Sequence, residues 1–267
     1  MGRLAPLDDI QNALVRRVLR VRRAPRHRRT RVLVEGVRSV TEALAAGAVA
    51  EVALYSPRLV ERPGGPALVE QLGRGQGRVL YVTDEVLEAV SETSTPQGVV
   101  LVARPPAYTL EDVFLHPRPL VVAAGGIQDP GNLGTLMRTS QAMGASGMVA
   151  FSGSVDILNP KVVRASMGAI FRLPVVQEER EDFDRIFARW NVTCYAAVVG
   201  EGPPPWAVDL SVPVALLLGN EGSGLWSDAV ARARPLHIPM ESGAESLNVA
   251  SAGAMLLYEA WRQRRGR

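Results

Sequence analysis

The sequence is poor in the residues and runs that disulfide-bonded, metal-binding and membrane-spanning proteins need. It has 267 residues with one cysteine and three histidines, which lie far apart along the chain. Neither a disulfide framework nor a zinc site with paired ligands is therefore expected. No apolar run approaches the roughly 20 residues of a membrane span, and acids and spaced arginines stand where a signal peptide would begin. We expect a cytoplasmic protein with no metal and no membrane partner.

Lysine is also scarce: of the 30 basic residues, only Lys161 is a lysine and the others are arginines. The net charge is only +3, yet nine arginines and no carboxylate fall between residues 16 and 31. These arginines are Arg16, Arg17, Arg20, Arg22, Arg23, Arg26, Arg28, Arg29 and Arg31. Guanidinium groups pair with phosphates bidentately, and an unbalanced basic run favours binding to polyanions. The run predicts contact with RNA, and a solvated helix face is the alternative.

The apolar pattern divides the chain into four segments. Residues 1–30 are predicted to form a basic helical extension, and residues 31–104 a compact module of alternating short strands and helices. Prolines punctuate residues 105–119, which we interpret as a linker. In residues 120–267, continuous apolar strands alternate with helices, a pattern that predicts a parallel sheet covered on both faces. The fold class is therefore α/β, with a larger parallel-sheet domain after a smaller α/β domain.

A first motif joins a buried strand to a helix predicted over residues 133–143. It reads Gly126-Ile127-Gln128-Asp129-Pro130-Gly131-Asn132-Leu133-Gly134, with Arg138 in the helix. We predict that the Asn132 side chain caps the helix and that Gly144 ends it in a left-handed conformation. The start of such a helix attracts anions. The long side chain of Arg138 leans back toward that end and could reach a phosphate there.

A second motif places three glycines in six residues directly after an apolar strand. It reads Leu218-Gly219-Asn220-Glu221-Gly222-Ser223-Gly224-Leu225. Glycine at a strand end lets the backbone approach a ligand closely. The order fits neither the dinucleotide fingerprint nor the P-loop. A tight strand-to-helix turn without a ligand is the alternative.

A third motif consists of a loop that contains a proline and the start of the last predicted helix. It runs from Ile238-Pro239-Met240 to Glu245-Ser246-Leu247-Asn248. We predict that Ser246 caps a helix over residues 247–262. The apolar stripe of this helix indicates core or a dimer interface.

In their order and spacing the three motifs closely resemble those of the SpoU/TrmH family of SPOUT methyltransferases, over residues 120–261. The resemblance implies transfer of a methyl group from S-adenosyl-L-methionine to a ribose 2′-hydroxyl of RNA. It also implies a C-terminal trefoil knot and a homodimer. Residues 31–38 and 94–98 resemble the ends of a ribosomal-protein-like substrate-binding domain. That domain is more typical of the family's ribosomal RNA enzymes, so the expected substrate is 23S rRNA.

The resemblance assigns roles to particular residues. The catalytic centre would hold Asn132, Arg138, Glu221, Ser246 and Asn248. Cofactor contact would involve Leu218, Gly219, Asn220, Gly224, Ile238, Met240 and Leu247. A guanidinium group is almost never neutral in proteins, so Arg138 fits a phosphate clamp better than a base. Glu221 is then the candidate proton acceptor or orienting group.

Two alternatives remain open. One is a tRNA 2′-O-methyltransferase with the same chemistry, and the other is a non-catalytic RNA-binding or ribosome-assembly protein of the same fold. The complete set of five catalytic positions argues against the second, because a pure binding module does not need it.

Overall fold

The computed structural model describes residues 5–26, 29–241 and 245–266. The chain divides into two compact units. Unit 1 comprises Met1–Pro106 and Leu158–Phe171, and unit 2 comprises Ala107–Ile157 and Arg172–Arg267. The predicted domain boundaries differ from this division, because we expected residues 158–171 to belong to the second domain, whereas they belong to unit 1.

Unit 1 contains a four-stranded mixed sheet in the order β1-β4-β2-β3. The pairs β1–β4 and β4–β2 are antiparallel, and β2–β3 is parallel. The strands are β1 (Val32–Glu35), β2 (Val49–Tyr55), β3 (Arg78–Tyr81) and β4 (Val99–Arg104). The helices are α1 (Ala13–Arg22), α2 (Val37–Ala45), α3 (Pro57–Val60), α4 (Gly65–Arg74), α5 (Asp84–Val90) and α8 (Pro160–Ala165). Helix α8 packs beside β1, which explains why its segment belongs to this unit.

Helix α1 is part of the core of unit 1. Its start is capped by Asn12, whose side chain accepts a hydrogen bond from the Leu14 amide. Val15 and Val18 are fully buried among residues of the sheet and of α5. The division of residues 1–30 from the following module is therefore not seen in the structure, because burial of the apolar face of α1 joins the two.

Unit 2 contains a six-stranded sheet in the order β10-β8-β9-β5-β6-β7, in which every neighbouring pair is parallel. This confirms the predicted parallel sheet. The strands are β5 (Leu120–Gly125), β6 (Gly147–Phe151), β7 (Val175–Glu178), β8 (Thr193–Ala197), β9 (Val214–Gly219) and β10 (Arg234–Leu236). The helices are α6 (Leu110–Phe114), α7 (Pro130–Ala142), α9 (Phe183–Arg189), α10 (Ser227–Arg232) and α11 (Val249–Arg265).

Helix α6 lies within the predicted linker at residues 105–119. A reciprocal capping box between Thr109 and Asp112 defines its start, and Val113 and Phe114 are buried in the core of unit 2. The linker prediction is therefore too long, because α6 has its own cap and its own buried face.

Helix α11 packs against α7 and β9. A Cβ atom at Gly253 would lie 2.4 Å from Leu136 Cδ1 and 2.9 Å from Leu218 Cδ1. Glycine at this position allows the last helix to approach the central strands closely. The motifs carried by β5–α7, β9 and α11 are brought together by this packing.

Candidate active site

The first two motifs meet because β5 and β9 are neighbours in the sheet, with Gly125 in register with Gly219. Ligands of parallel sheets bind at the carboxyl ends of the strands. Here the Asn220 side chain donates to the Gly126 carbonyl at 2.8 Å and links the two motifs directly. The candidate site is therefore built on rigid central strands.

The second motif forms a closed turn. Backbone hydrogen bonds join Asn220 and Gly224 in both directions, at 2.9 and 3.1 Å. Asn220 Oδ1 also accepts from the amides of Gly222 and Ser223, each at 2.9 Å. Gly224 has a φ of 69°, which only glycine adopts without strain. A Cβ atom at Gly219 would lie 2.7 Å from the Gly224 carbonyl carbon, so the turn leaves no room for a side chain there.

The cap of α7 is Asp129, and the prediction of Asn132 as the cap is wrong. Asp129 Oδ1 accepts from the Asn132 amide at 2.7 Å. The reason is Pro130, which favours the first helical position and so makes the preceding residue the cap. Gly144 has a φ of 73° after the helix, as predicted. The displaced cap leaves the Asn132 side chain available for the site.

The cap of α11 is Asn248, and the prediction of Ser246 is also wrong. Asn248 Oδ1 accepts from the amides of Ala250 and Ser251, at 3.0 and 3.2 Å. Asparagine caps helices as well as serine does, and the helix begins two residues later than predicted. Ser246 is exposed and makes no hydrogen bond with any residue that the structure describes.

A chain of hydrogen bonds connects the three motifs. Asn248 Nδ2 donates to Asn132 Oδ1 at 3.0 Å, and Asn132 Nδ2 donates to Glu221 Oε1 at 2.9 Å. The direction of this chain is fixed at both ends. Asn248 Oδ1 is occupied by the amides of α11, and an ionised carboxylate only accepts hydrogen bonds. The cap of the last helix thus orients the side chain that faces Glu221.

The Glu221 carboxyl has a lowered pKa. Partial burial raises the pKa, but hydrogen bonds from the Asn132 side chain and from the backbone at Glu221, Gln128 and Asp129 outweigh that effect. Each such bond stabilises the ionised form. Glu221 is therefore a carboxylate at neutral pH.

Arg138 stands apart from this hydrogen-bond chain. It lies on α7 between buried and solvent-facing positions, and its side chain is exposed. It forms no ion pair with any residue in the described part of the chain. Of the five predicted catalytic residues, the structure joins Asn132, Glu221 and Asn248, and it leaves Arg138 and Ser246 outside their hydrogen bonds.

A cavity of about 310 Å³ lies beside the turn of the second motif. All seven predicted cofactor residues line it, together with Glu221 and Ser246: Leu218, Gly219, Asn220, Gly224, Ile238, Met240 and Leu247. The sequence did not predict the contribution of Val198 and Val199. They follow β8, which neighbours β9, so only the strand order reveals them.

The described residues contain neither a metal-binding cluster nor a membrane-spanning helix. Among residues 5–26, 29–241 and 245–266, no group of three or more His, Cys, Asp or Glu side chains could hold a metal ion. None of the helices in these ranges is long and apolar enough to cross a membrane.

The fold and the site define an α/β protein with a cavity at the carboxyl edge of a parallel sheet. Residues 119–258 match the SpoU rRNA methylase family, and residues 12–101 match the MRM3-like substrate binding domain. The chain therefore belongs to the SpoU rRNA methylase family, which confirms the resemblance seen in its motifs.

Three similar proteins illustrate the relationship. The 23S rRNA (guanosine(2553)-2′-O)-methyltransferase RlmP of Bacillus subtilis is 34% identical over 66% of this chain and 70% of its own. The 23S rRNA (uridine(2479)-2′-O)-methyltransferase of Streptomyces viridochromogenes is 31% identical over 90% of this chain and 86% of its own. The crystal structure of an AdoMet-bound rRNA methyltransferase from Sinorhizobium meliloti has a TM-score of 0.83, at 30% identity, over 98% of both chains.

Proposed function

We propose that this protein transfers a methyl group from S-adenosyl-L-methionine to a ribose 2′-hydroxyl of 23S rRNA. The observation that carries the proposal is the cavity beside the Asn132–Glu221–Asn248 hydrogen-bond chain, with residues of the second and third motifs in its wall. The names of its relatives support ribosomal RNA over tRNA as the substrate. A cytoplasmic location fits this substrate.

The cavity suits S-adenosyl-L-methionine in size and chemistry. Its volume of about 310 Å³ falls in the range of roughly 300–1,000 Å³ of small-molecule sites. Leu218, Ile238 and Leu247 would cover the apolar part of the cofactor, and the turn from Gly219 to Gly224 would offer backbone groups. When bound, the cofactor supplies an electrophilic methyl group. The chain's own task is to align the hydroxyl with it and to exclude water.

The path of the chain supports a C-terminal trefoil knot. Strand β10 follows β9 in the sequence, yet it lies on the far side of β8. The chain then returns, and α11 packs on β9 and α7. We infer that the knot lies in this C-terminal part of the chain, beside the cavity.

Arg138 would hold the phosphate next to the target ribose. Its guanidinium is exposed and without an ion-pair partner in the described residues, so no internal contact must break before it binds a phosphate. In the same position it would stabilise negative charge that develops on the 2′-oxygen. Ser246, in the wall of the cavity, would also contact the reacting groups.

Glu221 fits an orienting role better than that of a general base. A base works best when its pKa lies near the operating pH, whereas the pKa of Glu221 is lowered. Its fixed negative charge holds the Asn132 amide in one orientation at 2.9 Å. Asn132 and Glu221 together would position the ribose.

Replacement of Glu221 by glutamine tests this role. We expect kcat to fall about 100-fold, because glutamine cannot accept with both of its terminal atoms, and removal of one positioned hydrogen-bonding group costs about 10²–10³ in rate. The shape of the pH–rate profile between pH 6 and 9 should match wild type. A wild-type acid limb in that range that disappears in Glu221→Gln would instead identify Glu221 as the base.

The same variant gives a stability test with a definite sign. Because the pKa of Glu221 is lowered on folding, its stabilising contribution is present above the usual value of 4.5 and is lost as the pH falls through the lowered value. Wild type should therefore melt at a higher temperature than Glu221→Gln at pH 7. The difference should shrink below pH 4.5. A difference that is constant with pH would contradict an ionised Glu221.

We further propose a homodimer whose interface involves α7 and α11. On α11, Met255 and Tyr258 are 49% and 54% exposed, and their spacing of three residues places them on one face of the helix. Light scattering at micromolar concentration should give twice the monomer mass. Met255→Glu/Tyr258→Glu should give a monomer, whereas Leu115→Glu, on another exposed part of unit 2, should not. A wild-type monomer under active conditions would contradict the proposal.

The function itself is tested by cofactor binding and by the identity of the methylated RNA. Calorimetry should detect binding of S-adenosyl-L-methionine. Transfer of labelled methyl should occur to in vitro transcribed 23S rRNA and not to a tRNA pool, and primer extension at low dNTP should locate a 2′-O-methyl group. Methylation of tRNA alone would favour the tRNA alternative. Absence of cofactor binding would favour the non-catalytic one.

A further inference from the structure

Part of the arginine run is used to hold unit 1 together. Arg17 and Arg31 contact the Glu51 carboxylate at 2.5 and 2.6 Å, and Arg104 contacts it at 2.9 Å. Burial raises the pKa of Glu51, but the hydrogen bonds from these three arginines lower it to about 2. Arg17 and Arg31 therefore balance a nearly buried carboxylate and are not free to serve a ligand with full charge.

Two further arginines bind backbone carbonyls. Arg22 donates to the Ala89 carbonyl at 2.9 Å, and Arg29 donates to the Ala24 carbonyl at 3.1 Å. The first contact ties the end of α1 to α5, and the second closes the turn that follows α1. Arg28 lies outside the described residues.

A second set faces solvent. Arg16, Arg20 and Arg23 are exposed, and none forms an ion pair with a carboxylate that the structure describes. Their spacing of four and three places them on one face of α1 and its C-terminal cap, over about 10 Å. They line a groove of about 430 Å³ together with Leu19, Ala24 and Pro25. A neighbouring groove of about 410 Å³ shares Arg20 and also contains Arg17, Arg29 and Arg31.

We propose that Arg16, Arg20 and Arg23, the outer face of α1, bind the phosphate backbone of the RNA substrate. This inference rests on the proposed function and names the surface that positions the RNA. Unpaired guanidinium groups in a row match successive phosphates in charge and in hydrogen-bonding geometry. Phosphate contacts position an RNA without reading its sequence, so this face sets affinity and register.

An anionic membrane would need the same charges and also an apolar face for insertion. Val15 and Val18 of α1 are fully buried in the core of unit 1, and Leu14, Leu19 and Val21 pack against that core. The helix therefore has no face left to enter a bilayer. The same burial means that deletion of residues 1–30 would damage the core, so point substitutions are the better test.

The test compares two triple variants of equal charge change. Arg16→Gln/Arg20→Gln/Arg23→Gln removes the outer face of α1, and Arg62→Gln/Arg74→Gln/Arg78→Gln removes three other exposed arginines of unit 1. Binding of a fluorescein-labelled 40-nucleotide RNA is measured by anisotropy across a range of KCl concentrations. The slope of log K against log salt should fall by about 2 to 3 in the first variant, because each lost phosphate contact removes roughly 0.7–0.9. The control slope should change by less than about 1.

Both variants should bind S-adenosyl-L-methionine as wild type does. An unchanged slope in the first variant, or equal losses in both, would overturn the assignment of this face. Loss of binding to phosphatidylserine vesicles without loss of RNA binding would overturn it in favour of a membrane. Failure of wild type to methylate 23S rRNA would instead reject the proposed function, and the RNA-binding slopes would still report on α1.

Discussion

Replacement of Arg138 by alanine should abolish methyl transfer and leave cofactor affinity within about twofold of wild type. Arg138 is exposed on α7 and does not line the cavity, so its removal should not disturb the cofactor site. Loss of a positioned cationic donor at developing negative charge costs about 10²–10³ in rate, and loss of phosphate binding adds to this. Single-turnover transfer of labelled methyl, with calorimetry of cofactor binding, measures the two quantities separately.

Arg138→Lys should fail almost as severely, because a point charge cannot reproduce the bidentate contact of a guanidinium with phosphate. Arg185→Ala provides the control, since Arg185 is an exposed arginine of the same unit that pairs with Asp182 at 2.9 Å. Its activity should be near that of wild type. A large loss of cofactor affinity in Arg138→Ala would place the residue in the cofactor site and contradict its role as a clamp.

Most strands of unit 2 were predictable, because a strand buried on both faces of a parallel sheet appears in the sequence as a continuous apolar run. Strand β9 is such a run, and it is buried from Val214 to Leu218. Strand β10 was missed, because Arg234–Leu236 has three residues and contains a proline. It is a strand only through its pairing with β8 at the sheet edge, where proline is tolerated.

The helix caps show a limit of a different kind. Asp129 and Asn132 stand near the start of α7, and Ser246 and Asn248 stand just before α11, and all of these residue types cap helices well. The choice matters for the site. Since Asp129 caps α7, Asn132 is released to bridge Asn248 and Glu221 across more than 80 residues of sequence. No local pattern contains that contact.

The arginine run shows the same limit for charge. Its composition predicts a surface for polyanions, but Glu51 and the Ala89 carbonyl, which engage Arg17, Arg31 and Arg22, lie far along the sequence. Only the folded chain distinguishes the arginines that balance internal groups from those that face solvent. Residues 158–171 follow the same rule, because their membership of unit 1 depends on packing beside β1.

Replacement of Gly219 by alanine should lower the affinity for S-adenosyl-L-methionine at least about 100-fold. The new Cβ atom would lie 2.7 Å from the Gly224 carbonyl carbon and 2.8 Å from the Leu225 nitrogen. Both are backbone atoms, so no side-chain rotation can relieve the overlap, and the bridge between Asn220 and Gly224 must open. That bridge forms one wall of the cavity, and a misplaced wall costs well over the 1.4 kcal/mol that separates tenfold steps in affinity.

The matched control is Gly222→Ala in the same turn. Its Cβ atom would lie 3.6 Å from Asn220 Oδ1, an ordinary contact, and the position is exposed. Calorimetry should therefore give Gly222→Ala an affinity within about threefold of wild type, and near-UV circular dichroism should show that both variants fold. If Gly219→Ala binds the cofactor as tightly as Gly222→Ala does, the turn of the second motif is not the wall that holds the adenosyl group. The cofactor would then have to be sought elsewhere along the edge of the sheet.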